Sequence, residues 1–304
     1  MSNCSVNFMA EKEQQHLVSK TFLKNFVIPD YKYPNHVWCL DLYDKYKKKP
    51  VPKGTNQNVF KIKNFYSLND NENRLLLENF YSDKLEPIYN EIIKEVNSEC
   101  NLSKEIRIRL IEWLMHSNLK TEYFRKNMEE LGQFLIDIYS NFGKQKKLFK
   151  ENYKNITAKS IAKEIQLETV LNSNDFDEFL DLHIKELTTK KWSILKSTND
   201  IPFIANDNPG FSLNTSLGKN TFNKTIQLSR LCFNYFILSP KYCLFIESLK
   251  KNDSVEPNAL NLNINYHQIS EDEINFINEG TSKTALRYLI SNNYDVINKY
   301  RTKR

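Results

Sequence analysis

The spacing of apolar side chains changes twice along the chain, and each pattern predicts a different kind of element. Near the start, mixed helical spacing over 15–26 predicts a short helix that ends before Pro29. Apolar and polar residues then alternate over 36–43, which is typical of a half-buried strand, and 59–66 is expected to extend the same small sheet.

From residue 71 the apolar positions recur with a period of 3.6, which predicts a helical region. A long helix is expected over 71–96, with a kink at Pro87. Ser103 is a suitable N-cap for a second helix that runs towards 139, with Gly143 as its stop. Two further amphipathic helices are expected over 157–171 and 175–187.

After Lys191 the pattern changes to short runs rich in β-branched and aromatic residues, separated by turn residues. These runs predict an antiparallel sheet from strands at 192–196, 202–205, 225–228, 233–238 and 242–247. The segment 270–290 returns to helical spacing, and Ser270 with Glu273 matches a capping box.

This order of elements predicts an α+β protein: a helical middle segment, a mainly antiparallel sheet in the C-terminal half, and a terminal helix. We treat 1–304 as a single domain. It can be subdivided into a small αβ segment (1–70), a helical segment (71–190) and a β-rich segment with C-terminal helices (191–304).

Composition narrows the class of protein. The chain has 304 residues, 40% hydrophobic and 26% charged, with a net charge of +6, and it has no apolar run of the roughly 18 residues that a membrane span needs. The polar first 15 residues do not resemble a secretory signal, and five cysteines without a C-x-x-C pair argue against disulfides or zinc. We therefore expect a cytoplasmic protein without membrane contact.

The positive charge makes nucleic acid a candidate partner, because Lys and Arg neutralise phosphates. The densest basic run, 45–53, contains Pro50 and Pro52 and is interpreted either as an exposed loop or as a phosphate-contacting patch. Several strong motifs are absent, namely the P-loop, the dinucleotide-binding glycine motif, the serine-hydrolase elbow and the zincin motif.

Several short sequence blocks remain. Each block is degenerate on its own, and the blocks follow one another in a defined order along the chain. Through them the sequence resembles a bacterial family catalogued as a domain of unknown function, number 4238, over about residues 14 to 291. The blocks are Gln15-His16 with Phe22, Leu23 and Phe26; Phe65-Tyr66; Glu78 and Glu86; Arg125; Trp192; Phe203 to Pro209; Ser239-Pro240; and Asn278 with Ala285 to Tyr288 and Ser291.

Two positions depart from the family pattern: Lys120 stands where an Arg is frequent, and His116 stands where a Gln is expected. Members similar to this family occur in bacterial genomes and prophage-borne islands, and some are associated with anti-phage defence. The resemblance therefore implies a defence effector, with a phage-derived trigger among its expected partners.

Candidate site residues come from these blocks. His16 has the side chain best suited to proton transfer near pH 7, although a buried histidine bonded to a carbonyl is the alternative. Asp207 and Asn208 follow a predicted strand and offer oxygen ligands for Mg²⁺ or Mn²⁺, although Asx-Pro sequences also form turns.

The carboxylates Glu78 and Glu86 are eight residues apart, about 80° around and roughly 12 Å along a straight helix, so at most one is expected at a compact site. Glu86, beside Pro87, is the one we assign as a metal ligand. Arg125 is expected to bind phosphate or carboxylate and to face away from His116, nine residues earlier on the same predicted helix.

The leading hypothesis is a metal-assisted nuclease in which Gln15, His16, Asp207 and Asn208 converge with Glu86 or Arg125. His16 and Asp207 would be catalytic, Gln15, Arg125 and Asn208 would contact substrate, and Asp207 with Glu86 would hold the metal. Two alternatives stay open. The same residues form a structural network in a binding or sensor module, or the protein is an enzyme for a nucleotide or small metabolite, for which a closed pocket would be the sign.

Overall fold

A computed structural model describes residues 14–44, 49–65, 67, 76–141, 156–171, 173–198, 200–214, 221–225, 232–247, 258 and 260–301. The N-terminal part begins with strand β1 (Gln14–His16) and helix α1 (Lys20–Leu23), which continues as a 3₁₀ turn to Phe26. Strands β2 (His36–Asp41), β3 (Val51–Gly54) and β4 (Lys61–Lys63) follow. The expected helix over 15–26 is therefore wrong at its start, where Gln15 and His16 pair with Ile62 and Lys61 as a strand.

The helical region begins with α2 (Leu76–Phe80), a π-helical turn (Tyr81–Leu85) and α3 (Glu86–Asn97). Pro87 lies in the first turn of α3, where its missing N–H would otherwise bond a carbonyl in the preceding turn. A kink was expected at Pro87, and the structure has a π turn that ends two residues before it, at Leu85. Residues 71–75 of the expected helix lie outside the described residues.

Helices α4 (Lys104–Leu119) and α5 (Glu122–Asn141) replace the single helix expected over 103–139. Ser103 caps α4 as expected, with its hydroxyl accepting from the Ile106 amide. The break falls at Thr121, whose hydroxyl donates to the Asn118 carbonyl and accepts from the Phe124 amide, so it ends one helix and starts the next. The expected stop at Gly143 lies outside the described residues.

Two more helices, α6 (Ala158–Leu171) and α7 (Ser173–Thr188), complete the helical region close to the expected bounds. The C-terminal part then contains β5 (Trp192–Lys196), β6 (Ala205–Asn206), β7 (Phe211–Asn214), β8 (Thr221–Asn223), β9 (Cys232–Ile237), β10 (Tyr242–Ile246), β11 (Asn265–Gln268), α8 (Glu271–Thr284), β12 (Tyr288–Ser291) and α9 (Tyr294–Asn298).

Three of the C-terminal expectations need correction. The strand expected over 202–205 is reduced to the two residues of β6. Thr225 is outside any strand, β8 ends at Asn223, and the rest of the strand expected over 225–228 lies outside the described residues. The helix expected over 270–290 starts at its capping box but ends at Thr284, because 288–291 pair as a strand between β2 and β6.

The described strands form three sheets, with orders β1-β4, β3-β2-β12-β6 and β11-β5-β10-β9-β7-β8. Pairing is antiparallel except between β11 and β5, which confirms the α+β class and the mainly antiparallel C-terminal sheet. The apolar core joins the sheets to α1, α3 and α4, and one tie is the Tyr89 hydroxyl of α3, which donates to the Leu238 carbonyl at 2.7 Å. None of the described helices combines the length and apolarity required to cross a bilayer.

Close packing of α8 against β7 provides a test of the fold. A Cβ on Gly280 would lie 2.4 Å from the Phe211 ring, whereas a Cβ on Gly54 would have its nearest neighbour at 3.4 Å. We expect Gly280→Ala to lower the free energy of unfolding by about 1–3 kcal/mol, because overpacking exceeds the gain in helix propensity. Gly54→Ala is the matched control and should change it little. Urea denaturation of both variants measures the difference, and equal stabilities would contradict this packing.

Candidate functional site

The clearest concave site is a cleft between the β1–α1 connection, the π turn, the α4–α5 break and the segment after β6, and its cavity volume is about 50 Å³. A cavity of this size takes one small group of a ligand and is well below the volume that encloses a whole drug-sized molecule. The lining side chains are Leu17, Val18, Ser19, Phe22, Tyr81, Leu85, Glu86, Trp113, Ser117, Lys120, Thr121, Asn206, Asp207, Asn208 and Pro209. The cleft thus brings together three of the residues singled out from the sequence, Glu86, Asp207 and Asn208.

Glu86 is held in the cleft by two hydroxyl groups at the start of α1. Ser19 donates to one carboxylate oxygen at 2.9 Å and Thr21 donates to the other at 2.5 Å. Ser19 also caps α1 by accepting from the Thr21 amide, so the local fold of α1 fixes both donors. The carboxylate is therefore oriented before any ligand arrives, and each oxygen retains a lone pair for a further hydrogen bond.

Lys120 places a buried cation opposite this carboxylate. It follows the last residue of α4, only 8% of its surface is exposed, and its ammonium lies 5.0 Å from the centre of the Tyr81 ring. Burial lowers the pKa of Lys120, while Glu78 and Glu86 raise it. Two carboxylates thus act on one ammonium, although only Glu86 lines the cleft, in keeping with the expectation that at most one of them joins a compact site. The straight-helix geometry behind that expectation fails at the π turn between them.

His16 lies beside the cleft and does not belong to its lining. Its Nδ1 is 4.0 Å from a Glu78 oxygen, and its Nε2 is buried with no hydrogen-bond partner among the described residues. Burial, reinforced by Lys61 and Lys120 and opposed by Glu86, lowers the pKa of His16 to about 4. At pH 7 the ring is neutral, so its contact with Glu78 is not an ion pair.

Asp207 anchors the backbone at the start of β12. One of its oxygens accepts from the Leu286 amide at 2.8 Å, and the other accepts from Arg287 and Tyr288 at 2.7 and 3.1 Å. Burial raises the pKa of Asp207 and outweighs these three donors, which lower it. The carboxylate is therefore engaged in holding the loop that follows β6 against the start of β12.

Asn208 presents a hydrogen-bond acceptor without a partner. Its Nδ2 donates to the carbonyls of Gly210 and Lys224, and its backbone amide donates to Asn206. Its Oδ1 is buried and has no hydrogen-bond partner among the described residues. A buried amide oxygen left in this state is unusual, because most buried polar atoms are paired.

The other two predicted substrate contacts lie outside the lining. Gln15 donates to the Ser67 hydroxyl at 3.0 Å. Arg125 donates to the side chain of Gln166 and to the Phe65 carbonyl, and its guanidinium covers the Phe65 ring at 4.5 Å. In this structure both side chains tie the segment after β4 to the rest of the fold.

His116 and Arg125 are on different helices, which corrects the assumption that one helix carries both. His116 stacks on Phe176 with centroids 4.0 Å apart, and Phe80 meets it edge-on at 5.0 Å. Burial lowers the pKa of His116 to about 3. It is a neutral core residue next to the π turn.

A family model described as "Protein of unknown function (DUF4238)" matches residues 14–295, which is most of the chain. The chain belongs to the DUF4238 family. No curated protein and no solved structure gives a match. The family match therefore extends over the cleft and over every predicted site residue, and it assigns no activity to them.

The metal predicted for this DUF4238 protein can be compared with the donors present. Both oxygens of Asp207 accept hydrogen bonds from backbone amides, three in total. Glu86 accepts hydrogen bonds from two hydroxyl groups. Across the described ranges, no group of three or more His, Cys, Asp and Glu side chains could hold a metal ion. These residues do not fit a Mg²⁺ or Mn²⁺ site, and we derive no step through one.

Sequence reasoning missed Lys120 as a site residue, although it was noted as a departure from the family pattern. Lys120 gave no signal because it fell inside the single helix expected over 103–139, where a lysine is ordinary on the solvated face. Glu78 was not chosen as a site residue because its position was calculated for a straight helix. The helix break at Thr121 and the π turn bring Lys120 and Glu78 together.

The depressed pKa of His16 gives a direct test. We expect the NMR signals of the His16 ring to stay in the neutral form from pH 8 to pH 5 and to titrate with a midpoint near 4. His16→Gln identifies the signal by its loss. Because the unfolded ring titrates near 6.5, stability should fall as the pH drops from about 6.5 towards 4. A midpoint near 6.5 would contradict the buried, neutral ring.

Proposed function

We propose that this protein is an enzyme that acts on a nucleotide or a similar small metabolite, one anionic group of which enters the cleft. The observation that carries the proposal is the pair of opposed groups that line one concave surface, the Lys120 ammonium and the oriented Glu86 carboxylate. A few convergent polar groups on a largely apolar wall are typical of small-molecule sites.

The charge of the cleft favours a small ligand over a polymer. Its described lining contains one cation, Lys120, and two carboxylates, Glu86 and Asp207. Nucleic-acid grooves usually contact several phosphates through many Lys and Arg side chains. The cleft therefore suits a single anionic group better than a polyanionic strand, so we place the nuclease hypothesis second.

We assign the roles from this geometry. Lys120 contacts an anionic group of the substrate, such as a phosphate, and the start of α5 just after Thr121 adds the positive end of a helix dipole. Glu86 accepts a proton from water or from a substrate hydroxyl, because it is the carboxylate in the cleft whose oxygens are bound only by hydroxyl groups. Asp207 is a positioning residue for the adjoining loop.

His16 then has a supporting role that differs from direct catalysis. Its neutral ring lies outside the cleft lining and adds no positive charge to the cleft at pH 7. A buried Nε2 does not reach substrate without rearrangement. We therefore assign the role of proton acceptor to Glu86 and not to His16.

The cellular role is part of the same proposal. The resemblance to family members associated with anti-phage defence supports a bacterial defence effector that works in the cytoplasm. Depletion or modification of a nucleotide would explain protection without nucleic-acid cleavage. Plaque counts on cells that express the wild-type protein or Glu86→Gln test this role, which predicts protection by the wild-type protein alone.

Two substitutions test the cleft as an active site. We expect Lys120→Met to weaken binding of 5′-nucleoside monophosphates by about tenfold to a hundredfold, the usual effect of losing a charged hydrogen bond. We expect Glu86→Gln to leave binding within a few-fold and to lower turnover by about 10²–10⁴-fold. Calorimetry measures binding, and ¹H and ³¹P NMR detect products.

Lys190→Met is the matched control, because Lys190 is also buried but bonds the Cys232 carbonyl away from the cleft. Equal loss of binding in both lysine variants would contradict a local role for Lys120. Cleavage of RNA or DNA by the wild-type protein, with no binding of mononucleotides, would favour the nuclease hypothesis instead.

A further inference from the structure

We propose that a second pocket, on one face of the sheet β3-β2-β12, binds a small sugar phosphate, with Lys49 and Lys53 neutralising its phosphate group. The cavity of this pocket is about 350 Å³, which lies within the range of sites that enclose a small molecule. No described residue lines both this pocket and the cleft. The inference therefore stands independently of the proposed function.

The register of the strands brings five of the lining side chains together. In β2, Cys39 lies opposite Val51 of β3, and Asp41, two residues later, lies opposite Tyr288 of β12. Directly opposed residues of antiparallel strands, and residues two apart on one strand, present their side chains to the same face. Lys53, two residues after Val51, shares that face. Backbone pairing thus sets the relative positions of these side chains.

Arg287, a further lining residue, is held in place before a ligand arrives. Its backbone amide donates to Asp207 at 2.7 Å, and its carbonyl accepts from the Leu42 amide at 2.8 Å. Its guanidinium donates to both oxygens of Asp41 at 2.9 to 3.2 Å and lies 4.9 Å from the centre of the Tyr288 ring. Arg287 and Asp41 therefore balance each other, and this pair adds little net charge to the pocket.

Lys49 and Lys53 carry the positive charge that is left to attract an anion. Neither has a hydrogen-bond or ion-pair partner among the described residues. Burial, with a smaller contribution from Asp41, raises the pKa of the Cys39 thiol to about 12, and Lys53 opposes that rise. The thiol is therefore uncharged at pH 7, and the Lys53 ammonium acts on the part of the pocket that Cys39 lines.

The charges of the lining favour a phosphate monoester over other anions. Such a group carries about −1.5 to −2 at pH 7, which two ammonium groups match, whereas a carboxylate carries a single charge. Asp44 also lines the pocket, and its carboxylate accepts hydrogen bonds from hydroxyl groups and repels further phosphates. A phosphate attached to a hydroxylated body, as in a sugar phosphate, satisfies both conditions.

This placement decides between the two interpretations of the basic run 45–53. Both Lys49 and Lys53 belong to that run, and both line an enclosed pocket, which supports contact with a phosphate. A nucleic-acid strand brings a phosphate with every nucleotide and is usually bound by many Lys and Arg side chains. A pocket that also contains Asp41 and Asp44 suits one phosphate better.

Calorimetry with ribose 5-phosphate and with ribose tests the pocket. Both titrations use the Lys120→Met variant, in which the cleft has lost its ammonium and no longer competes for phosphate. We expect ribose 5-phosphate to bind and ribose, which lacks the dianion, not to bind. Adding Lys49→Gln/Lys53→Gln should weaken binding of ribose 5-phosphate by at least about tenfold. Neither lysine has a partner to lose, so the fold should persist.

Lys24→Gln/Lys299→Gln in the same background is the matched control, because it removes two exposed lysines outside the pocket lining. Its affinity for ribose 5-phosphate should stay within a few-fold of the parent. Equal losses in the two double variants, or no binding of ribose 5-phosphate, would overturn the proposal. Tighter binding of a single-stranded oligonucleotide through Lys49 and Lys53 would assign them to nucleic acid instead. If Lys120→Met does not fold, the same comparison in the wild-type chain decides.

Discussion

The interaction on which the site depends is the burial of the Lys120 ammonium beside Glu78 and Glu86. A buried ammonium without opposite charge would be costly, and the two carboxylates offset that cost by raising a pKa that burial lowers. The two carboxylates come from opposite sides of the π turn, Glu78 from α2 and Glu86 from α3. The neutral state of His16, which Lys120 favours, follows from the same cluster.

Two further constraints complete the cleft around this cluster. The start of α1 orients Glu86 through the Ser19 and Thr21 hydroxyls, which join the N-terminal part to the helical region. Asp207 connects β6 to β12 through three backbone amides, which sets the position of Asn208. Side chains from three separate parts of the chain therefore meet at one surface, and none of the three parts forms the cleft alone.

Periodicity predicted the regular elements well where a pattern was long or uninterrupted. Strand β5 and helix α6, together with the capping box at Ser270, match their expected places closely because local spacing and capping determine them. Gln15 and His16 of β1 and residues 288–290 of β12 were assigned to helix because their strand state depends on pairing partners far away in the sequence. Such pairing leaves little trace in a short segment.

The candidate site, too, was predictable only in part. Glu86, Asp207 and Asn208 were selected from the residue types and the resemblance, and they do line one cleft. Their roles were not predictable, because the roles depend on which lone pairs are already used: Asp207 has three amide donors, whereas Asn208 Oδ1 has none among the described residues. Lys120 escaped prediction because the helix break beside it depends on the single hydroxyl of Thr121.

The most direct measurement of the central claim is a crystal structure of the protein with AMP. We predict electron density in the cleft, with a phosphate oxygen within about 3 Å of Lys120 Nζ. Density for AMP at another surface, with the cleft occupied only by solvent at saturating nucleotide, would contradict it.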